Sequence, residues 1–353
     1  MLAWLKRIFG VRQAPTGVVR AAAPAGRSAT AAARREAPFP IVTSDAAPVA
    51  CPVELVDQTA HDVLQRFRAN KPGAESFPSN ASRIIDVIRQ KEPDFNKLVQ
   101  IVGQDAAIAS RLLQVANSSL FTGAEVHSVR AAAMRLGLRE VGEIALGFAG
   151  RTLFETEVRY QYSLFPHRWD ALFHESMTAA FAAGALSMRT RSGQPDCAFL
   201  AGMLHDIGKP IALRAVASLY HDGGLDPVVL DLGVGDVVDR VHIEIGAVMT
   251  ETWGLPEYLR VAATRHHDPV APGDPPDLHL ARVVDGLGHA RAGSLTQAGR
   301  DLLLASAAAL KLGEAELRVA ATEYAELAER VAQIFHVRDP HAGAPAHKQR
   351  RAG

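Results

Sequence analysis

Cysteine is nearly missing: Cys51 and Cys197 are the only two in 353 residues and lie in different segments. Two distant cysteines exclude a disulfide framework and a cysteine-based zinc module, and they fit a reducing cytoplasm. Aromatic residues are only 6% of the chain, while alanine and leucine abound, a balance that disfavours strands and favours closely packed helices. An all-α fold is expected. Net charge is zero, from 38 basic and 38 acidic residues, so no electrostatic nucleic-acid binder is expected. There is no glycine-rich phosphate loop followed by Lys-Ser or Lys-Thr, no alternation of strands and helices of the receiver kind, and no serine or cysteine nucleophile in a recognisable setting.

Acidic residues are wholly absent from positions 1 to 35, where Lys6, Arg7, Arg12, Arg20, Arg27, Arg34 and Arg35 stand alone. This arm is separate in character from the net acidic remainder. Residues 2 to 12 place Leu2, Leu5, Ile8 and Phe9 on one side of a short basic helix that could touch an anionic membrane surface, or simply fray or dock locally. Charge within that stretch makes it too short for a signal-peptide core or a membrane span. From Gln13 to Ala50 the composition is Ala, Pro, Gly, Arg and Ser without apolar periodicity, which reads as a disordered linker.

Order is expected from about Pro52, at 48% hydrophobic content overall. Helices are predicted at about 95–102, 106–115, 128–136 with Ser128 as N-cap and Gly137 as stop, and 140–154. These belong to an N-terminal bundle over about 70–160. An apolar stripe of Phe173, Met177, Phe181 and Met188 marks a core helix over 170–188, with His174 beside it and Gly184 allowing a close neighbour. Asp196 is the expected cap of a helix reaching Gly208-Lys209-Pro210. Further helices are expected at 236–253, from Pro256 to His266-His267, at 277–288, and at 314–335, with the segments after 290 packing on a core that spans about 165–290. Residues 339–353 read as a loose tail.

The stretch Met203-Leu204-His205-Asp206-Ile207-Gly208-Lys209 sets an imidazole beside a carboxylate at a helix end. His174, His242, His266, His267 and Asp285 flank it along the chain. Any one of these histidines alone is more simply a core residue bonded to backbone. Asp285 is the telling case, because carboxylates are rarely buried unpaired. Several imidazoles and carboxylates aimed into one helical core need a cation between them, and mixed N and O donors suit Zn, Mn, Fe or Mg. In a hydrolytic centre Asp206 could bridge two ions, and Lys209 could neutralise a substrate phosphate or merely sit solvated at a helix end. His127, His167, His221, His279 and His289 fit no such pattern and read as surface or core residues.

In that order, His174, His205-Asp206 and Asp285 resemble the signature of the HD superfamily of metal-dependent phosphohydrolases. With Asn117-Ser118-Ser119, Leu136-Gly137, His242-Ile243-Glu244-Ile245-Gly246-Ala247, Trp253-Gly254-Leu255-Pro256 and His266-His267-Asp268-Pro269 added, the pattern resembles one branch of that superfamily, the HDOD (HD-related output) domains, over roughly 70–290. The resemblance implies an all-α domain of bacterial signalling proteins. In the related HD-GYP branch, which hydrolyses cyclic di-GMP, a Gly-Tyr-Pro element follows the paired histidines. Here His267-Asp268-Pro269-Val270-Ala271-Pro272-Gly273 stands instead, which argues against that reaction and leaves metal binding untouched. Two functions are therefore carried forward. One is a cytoplasmic regulatory domain acting through signalling proteins or a nucleotide second messenger, with a divalent metal centre (Fe, Mn or Zn; one or two ions) in a structural role. The other is a phosphohydrolase with Asp206 and Lys209 at the reaction centre, metal ligands His174, His205, Asp206 and Asp285, and His242, His266 and His267 serving a second ion or the phosphate.

Overall fold

The structure is a computed structural model and describes residues 50–70, 77–90, 92–121, 123–156, 158–338 and 340–341. The basic arm, the linker as far as Val49 and the last twelve residues lie outside the described residues. Among the described residues all regular structure is helical, and no helix is long and apolar enough to cross a membrane.

The N-terminal bundle is built of short helices whose starts follow from capping chemistry. Asp94 accepts hydrogen bonds from the free amides of Asn96 and Lys97 at the head of α3 (Phe95–Gln104), and Asp105 from Ala107 and Ile108 at the head of α4 (Ala106–Ala116). Ser128 does the same for Ala131 in α5 (Val129–Leu136), and Gly137, at φ 99°, ends it as expected. α2 (Ser79–Ile88) and α6 (Leu138–Phe154) close the bundle. Before all of these comes α1 (Val53–Asn70), which packs not on the bundle but on the later core helices α10 (Gly208–His221) and α11 (Val234–Thr252).

At the centre lies α8 (Pro166–Thr190), reached through the short α7 (Arg159–Leu164) and starting four residues before the predicted 170 because Pro166 is tolerated in a first turn. It packs most extensively on α9 (Pro195–Leu204), with Gly184 held against the Pro195 carbonyl as its missing side chain foretold. Phe173, Met177 and Phe181 are buried with it. The closing helix α15 (Glu314–Phe335) matches its predicted span and locks onto α8 through Phe335, whose ring lies 5.4 Å from Phe173 and 4.8 Å from Phe148. Such aromatic pairs each add about 0.5–1.5 kcal/mol beyond area burial.

One expectation is corrected. The helix from 196 was to run to Gly208-Lys209-Pro210, but α9 ends at Leu204 and Gly208 opens α10. Pro210 breaks no ladder there, since a first-turn amide has no intrahelical acceptor. Asp196 caps nothing through its side chain and instead pairs with Arg139 of α6, which also reaches Glu143 Oε1 at 3.3 Å, tying bundle to core. Arg214 of α10 reinforces that seam by donating to the Thr152 and Leu153 carbonyls at the end of α6, at 3.0 and 3.2 Å.

Candidate metal centre

The break between α9 and α10 is what presents His205 and Asp206. Gly208 makes it possible: a Cβ there would fall 1.9 Å from the carbonyl oxygen of His242 and 2.9 Å from the amide nitrogen of Gly246. The backbones of α10 and α11 therefore touch, which sets Asp206 and Lys209 directly against His242. Next come α12 (Glu257–Arg265), ending at His266-His267, and α13 (Pro276–Ala292), which carries Asp285. The loop between them is fixed by Asp274, bonded to Arg265 Nη2 at 2.8 Å and to the fully buried Arg282 Nη1 at 2.7 Å. Arg282 also donates to the Arg265 carbonyl at 3.1 Å. Against the opposing effect of burial, the Ala271 amide, which donates to Asp274 Oδ2 at 3.0 Å, and these guanidiniums hold the Asp274 carboxyl down at about 2.

Six of the seven predicted ligands meet at this point, in two groups that share Asp206. In the first, Asp206, His242, His266 and His267 bring donor atoms within 4.8 Å of one another; in the second, His205, Asp206 and Asp285 do so. Asp206 Oδ1 is 3.2 Å from His266 Nε2 and 3.4 Å from His242 Nε2. His205 Nε2 lies 3.4 Å from Asp206 Oδ2 and 3.7 Å from Asp285 Oδ1. Backbone carbonyls orient the rings, since Nδ1 of His205, His242 and His266 faces the oxygens of Gly202, Asp239 and Ala262 at 2.8–2.9 Å. A carbonyl only accepts, so each Nδ1 carries the proton and, in a neutral ring, Nε2 presents a lone pair to the centre.

Burial drives His266 down to about 4 and also lowers His242, with Asp206 opposing in both cases. These rings are neutral near pH 7, and their Nε2 atoms face Asp206 Oδ1 lone pair to lone pair. All three atoms are buried without a hydrogen-bond partner. Unsatisfied buried polar atoms are costly, about 1–3 kcal/mol each, and three converging on one point are what a divalent cation with N and O ligands would satisfy. The residues fit a metal. The second group behaves differently. Burial works against the charged form of His205, yet Asp206 and Asp285 outweigh it and raise its pKa. Lys209 Nζ is 2.7 Å from Asp206 Oδ2 and 3.6 Å from Asp239 Oδ1. Its pKa is raised despite burial, chiefly by Asp206, and Asp206 is held well below its usual range by Lys209 and His205 against the pull of burial.

His174, the seventh predicted ligand, lines the cavity beside these groups but belongs to neither. Its Nε2 is 2.8 Å from the Ala328 carbonyl of α15, so it joins two helices. His289 was read as a plain surface or core residue, yet its Nε2 stands 3.5 Å from Asp285 Oδ1. Its spacing of four from Asp285 on one helix was the available signal. Two cavities open on the centre, of about 410 Å³ and 690 Å³, and both are walled by Lys209, Asp239, Asp285 and His289. Each is large enough for a small organic ligand.

Fold and site together define an all-α domain of the HD kind, with paired His and Asp donors at the junction of α9 and α10. The HDOD domain model matches residues 75–269, more than half of the sequence, and the chain belongs to the HDOD family. It is 26% identical over 211 residues to an uncharacterized protein of Treponema pallidum (strain Nichols), a match covering 56% of this chain and 39% of that protein. The chain thus spans well under half the length of that curated relative. Among solved structures it is similar to a "Putative metal-dependent phosphohydrolase" from Shewanella amazonensis SB2B, at TM-score 0.56 and 18% identity over 79% of this chain and 99% of the other. It is also similar to a "Putative signal transduction protein" from Marinobacter aquaeolei VT8, at TM-score 0.54 and 22% identity over 82% of this chain and 66% of that one. These likenesses support the fold.

Proposed function

We propose that this chain is a regulatory domain of bacterial signal transduction whose His/Asp centre holds a divalent metal and receives a phosphate-bearing ligand such as a nucleotide. One observation carries the reading: Asp206 Oδ1, His242 Nε2 and His266 Nε2 converge, buried and without hydrogen-bond partners. A bound ion would supply a Lewis-acidic point for a phosphate oxygen. The chain's own part is to orient its donors through the Gly202, Asp239 and Ala262 carbonyls, and to offer Lys209 and His289 along the cavity walls. The name of the Marinobacter relative supports a signalling role and that of the Shewanella relative supports a metal.

The second reading, hydrolysis of a phosphoester, is favoured by the position of Asp206, shared by both donor groups beside a 410 Å³ cavity. Titration of the metal-loaded chain with cyclic and linear nucleotides, followed for both heat of binding and product, tests the proposal. Binding without turnover supports a sensor. Turnover abolished in Asp206→Ala with the fold intact makes the chain an enzyme, and absence of binding by any nucleotide removes the nucleotide reading.

A further inference from the structure

The two donor groups around Asp206 differ in a way that bears on how many ions the centre takes. Among the donors of these two groups, the buried atoms left without a hydrogen-bond partner are Asp206 Oδ1, His242 Nε2 and His266 Nε2, all in the first group. On the other side Asp206 Oδ2 is already engaged, 2.7 Å from the Lys209 ammonium. Lys209 is itself buried, on the turn that Gly208 presses onto α11.

From this arrangement we infer that the Lys209 ammonium is a built-in substitute for a second metal ion, so that the centre is mononuclear and its ion sits with Asp206, His242 and His266. The inference rests on the metal reading above and adds the number and place of the ions. An ammonium and a dication cannot share the Asp206 Oδ2 side without strong mutual repulsion, and the lysine is tethered there. It stands where a second ion would have to bind, and neutralises the shared carboxylate in its stead.

The test is metal stoichiometry of the full chain, stripped with chelator, reloaded with Mn(II), desalted and measured by elemental analysis. Wild type is expected to hold one ion per chain, lost in His266→Gln and kept in Asp285→Asn. Lys209→Met is expected to hold two, with a spin-coupled Mn(II) electron paramagnetic resonance signal in place of the isolated-ion signal of wild type. Two ions in wild type would overturn the inference while leaving the metal reading intact. One ion in both wild type and Lys209→Met would overturn it likewise. No ion in wild type would overturn the metal reading and this inference with it. If Lys209→Met does not fold, the wild-type signal decides, since spin coupling refutes and an isolated ion retained in Asp285→Asn but lost in His266→Gln supports.

Discussion

Removing the Asp206 carboxylate tests the electrostatics of the centre without any metal present. In chelator near neutral pH, Asp206→Ala leaves Lys209 buried with Asp239 as its nearest partner, at 3.6 Å and with a side chain 60% exposed. A solvated carboxylate at that distance compensates poorly. Breaking a buried pair by deleting one member costs about 3–5 kcal/mol, because the other charge is stranded, whereas deleting both is far milder. We expect Asp206→Ala to lose about 3 kcal/mol, which lowers Tm by about 6–12 °C for a domain of a few hundred residues. Lys209→Met should also lose stability, though less, since Asp206 keeps His205 Nε2 at 3.4 Å. The double variant should recover much of this, with a coupling energy of about 2 kcal/mol or more. Urea denaturation of the four proteins provides the cycle. Additivity within about 0.5 kcal/mol, the behaviour of independent sites, would refute the claim that the two side chains neutralise each other.

Gly208→Ala should cost about 3 kcal/mol or more and loosen the centre, because the added methyl would overlap the His242 carbonyl at 1.9 Å and drive α10 from α11; a Tm within 2 °C of wild type, roughly the effect of half a kcal/mol, would contradict this. Glu143 is pushed from its ordinary 4.5 up to about 8 by burial, with Arg139 opposing. A carboxyl that holds its proton more tightly when folded stabilises below the unfolded pKa, and that contribution is lost as pH rises through the folded one. Glu143→Gln should therefore gain on wild type between about pH 4.5 and 8, and denaturation curves running parallel across that window would refute it. Asp274 is held at about 2, so its contribution is present above 3.8 and lost as pH falls through 2. Asp274→Asn should cost about 3 kcal/mol near neutral pH, a penalty that vanishes toward pH 2, and should reduce metal retention by releasing the loop after His266-His267; an unchanged midpoint in urea would contradict it.

Much of the fold was legible because its signals are local. Asp94, Asp105 and Ser128 cap the helices they precede, and the stripe of Phe173, Met177 and Phe181 names the buried face of α8. What failed was the reading of Gly208-Lys209-Pro210 as a stop. Glycine and proline serve equally at a helix start, and only the contact of Gly208 with the His242 carbonyl, a tertiary fact, decides between them. The helix α14 (Gln297–Ala309) was not singled out either; it packs on α13 with only Leu303, Ser306 and Ala307 buried, a thin pattern.

At the site, identities were legible and roles were not. His205, Asp206, His242, His266, His267 and Asp285 do converge. His174 was placed with them as the first member of the His174, His205-Asp206, Asp285 series; it lines the same cavity, and the carbonyl bonded to its Nε2 belongs to Ala328, 154 residues away. No spacing within α8 could reveal that partner. Lys209 shows the same limit: its place three residues after Asp206 was visible, while its 2.7 Å approach to Oδ2 depends on how tightly the turn closes.

Three buried atoms that converge with no hydrogen-bond partner carry the metal reading, and X-ray absorption on the zinc-loaded chain reports on them directly. The expected spectrum has nitrogen and oxygen neighbours at about 2.0–2.1 Å, with the outer-shell scattering of at least two imidazoles, and it disappears in His266→Gln. Failure of the wild-type chain to retain zinc after desalting, or a zinc environment free of imidazole scattering, would contradict the central claim.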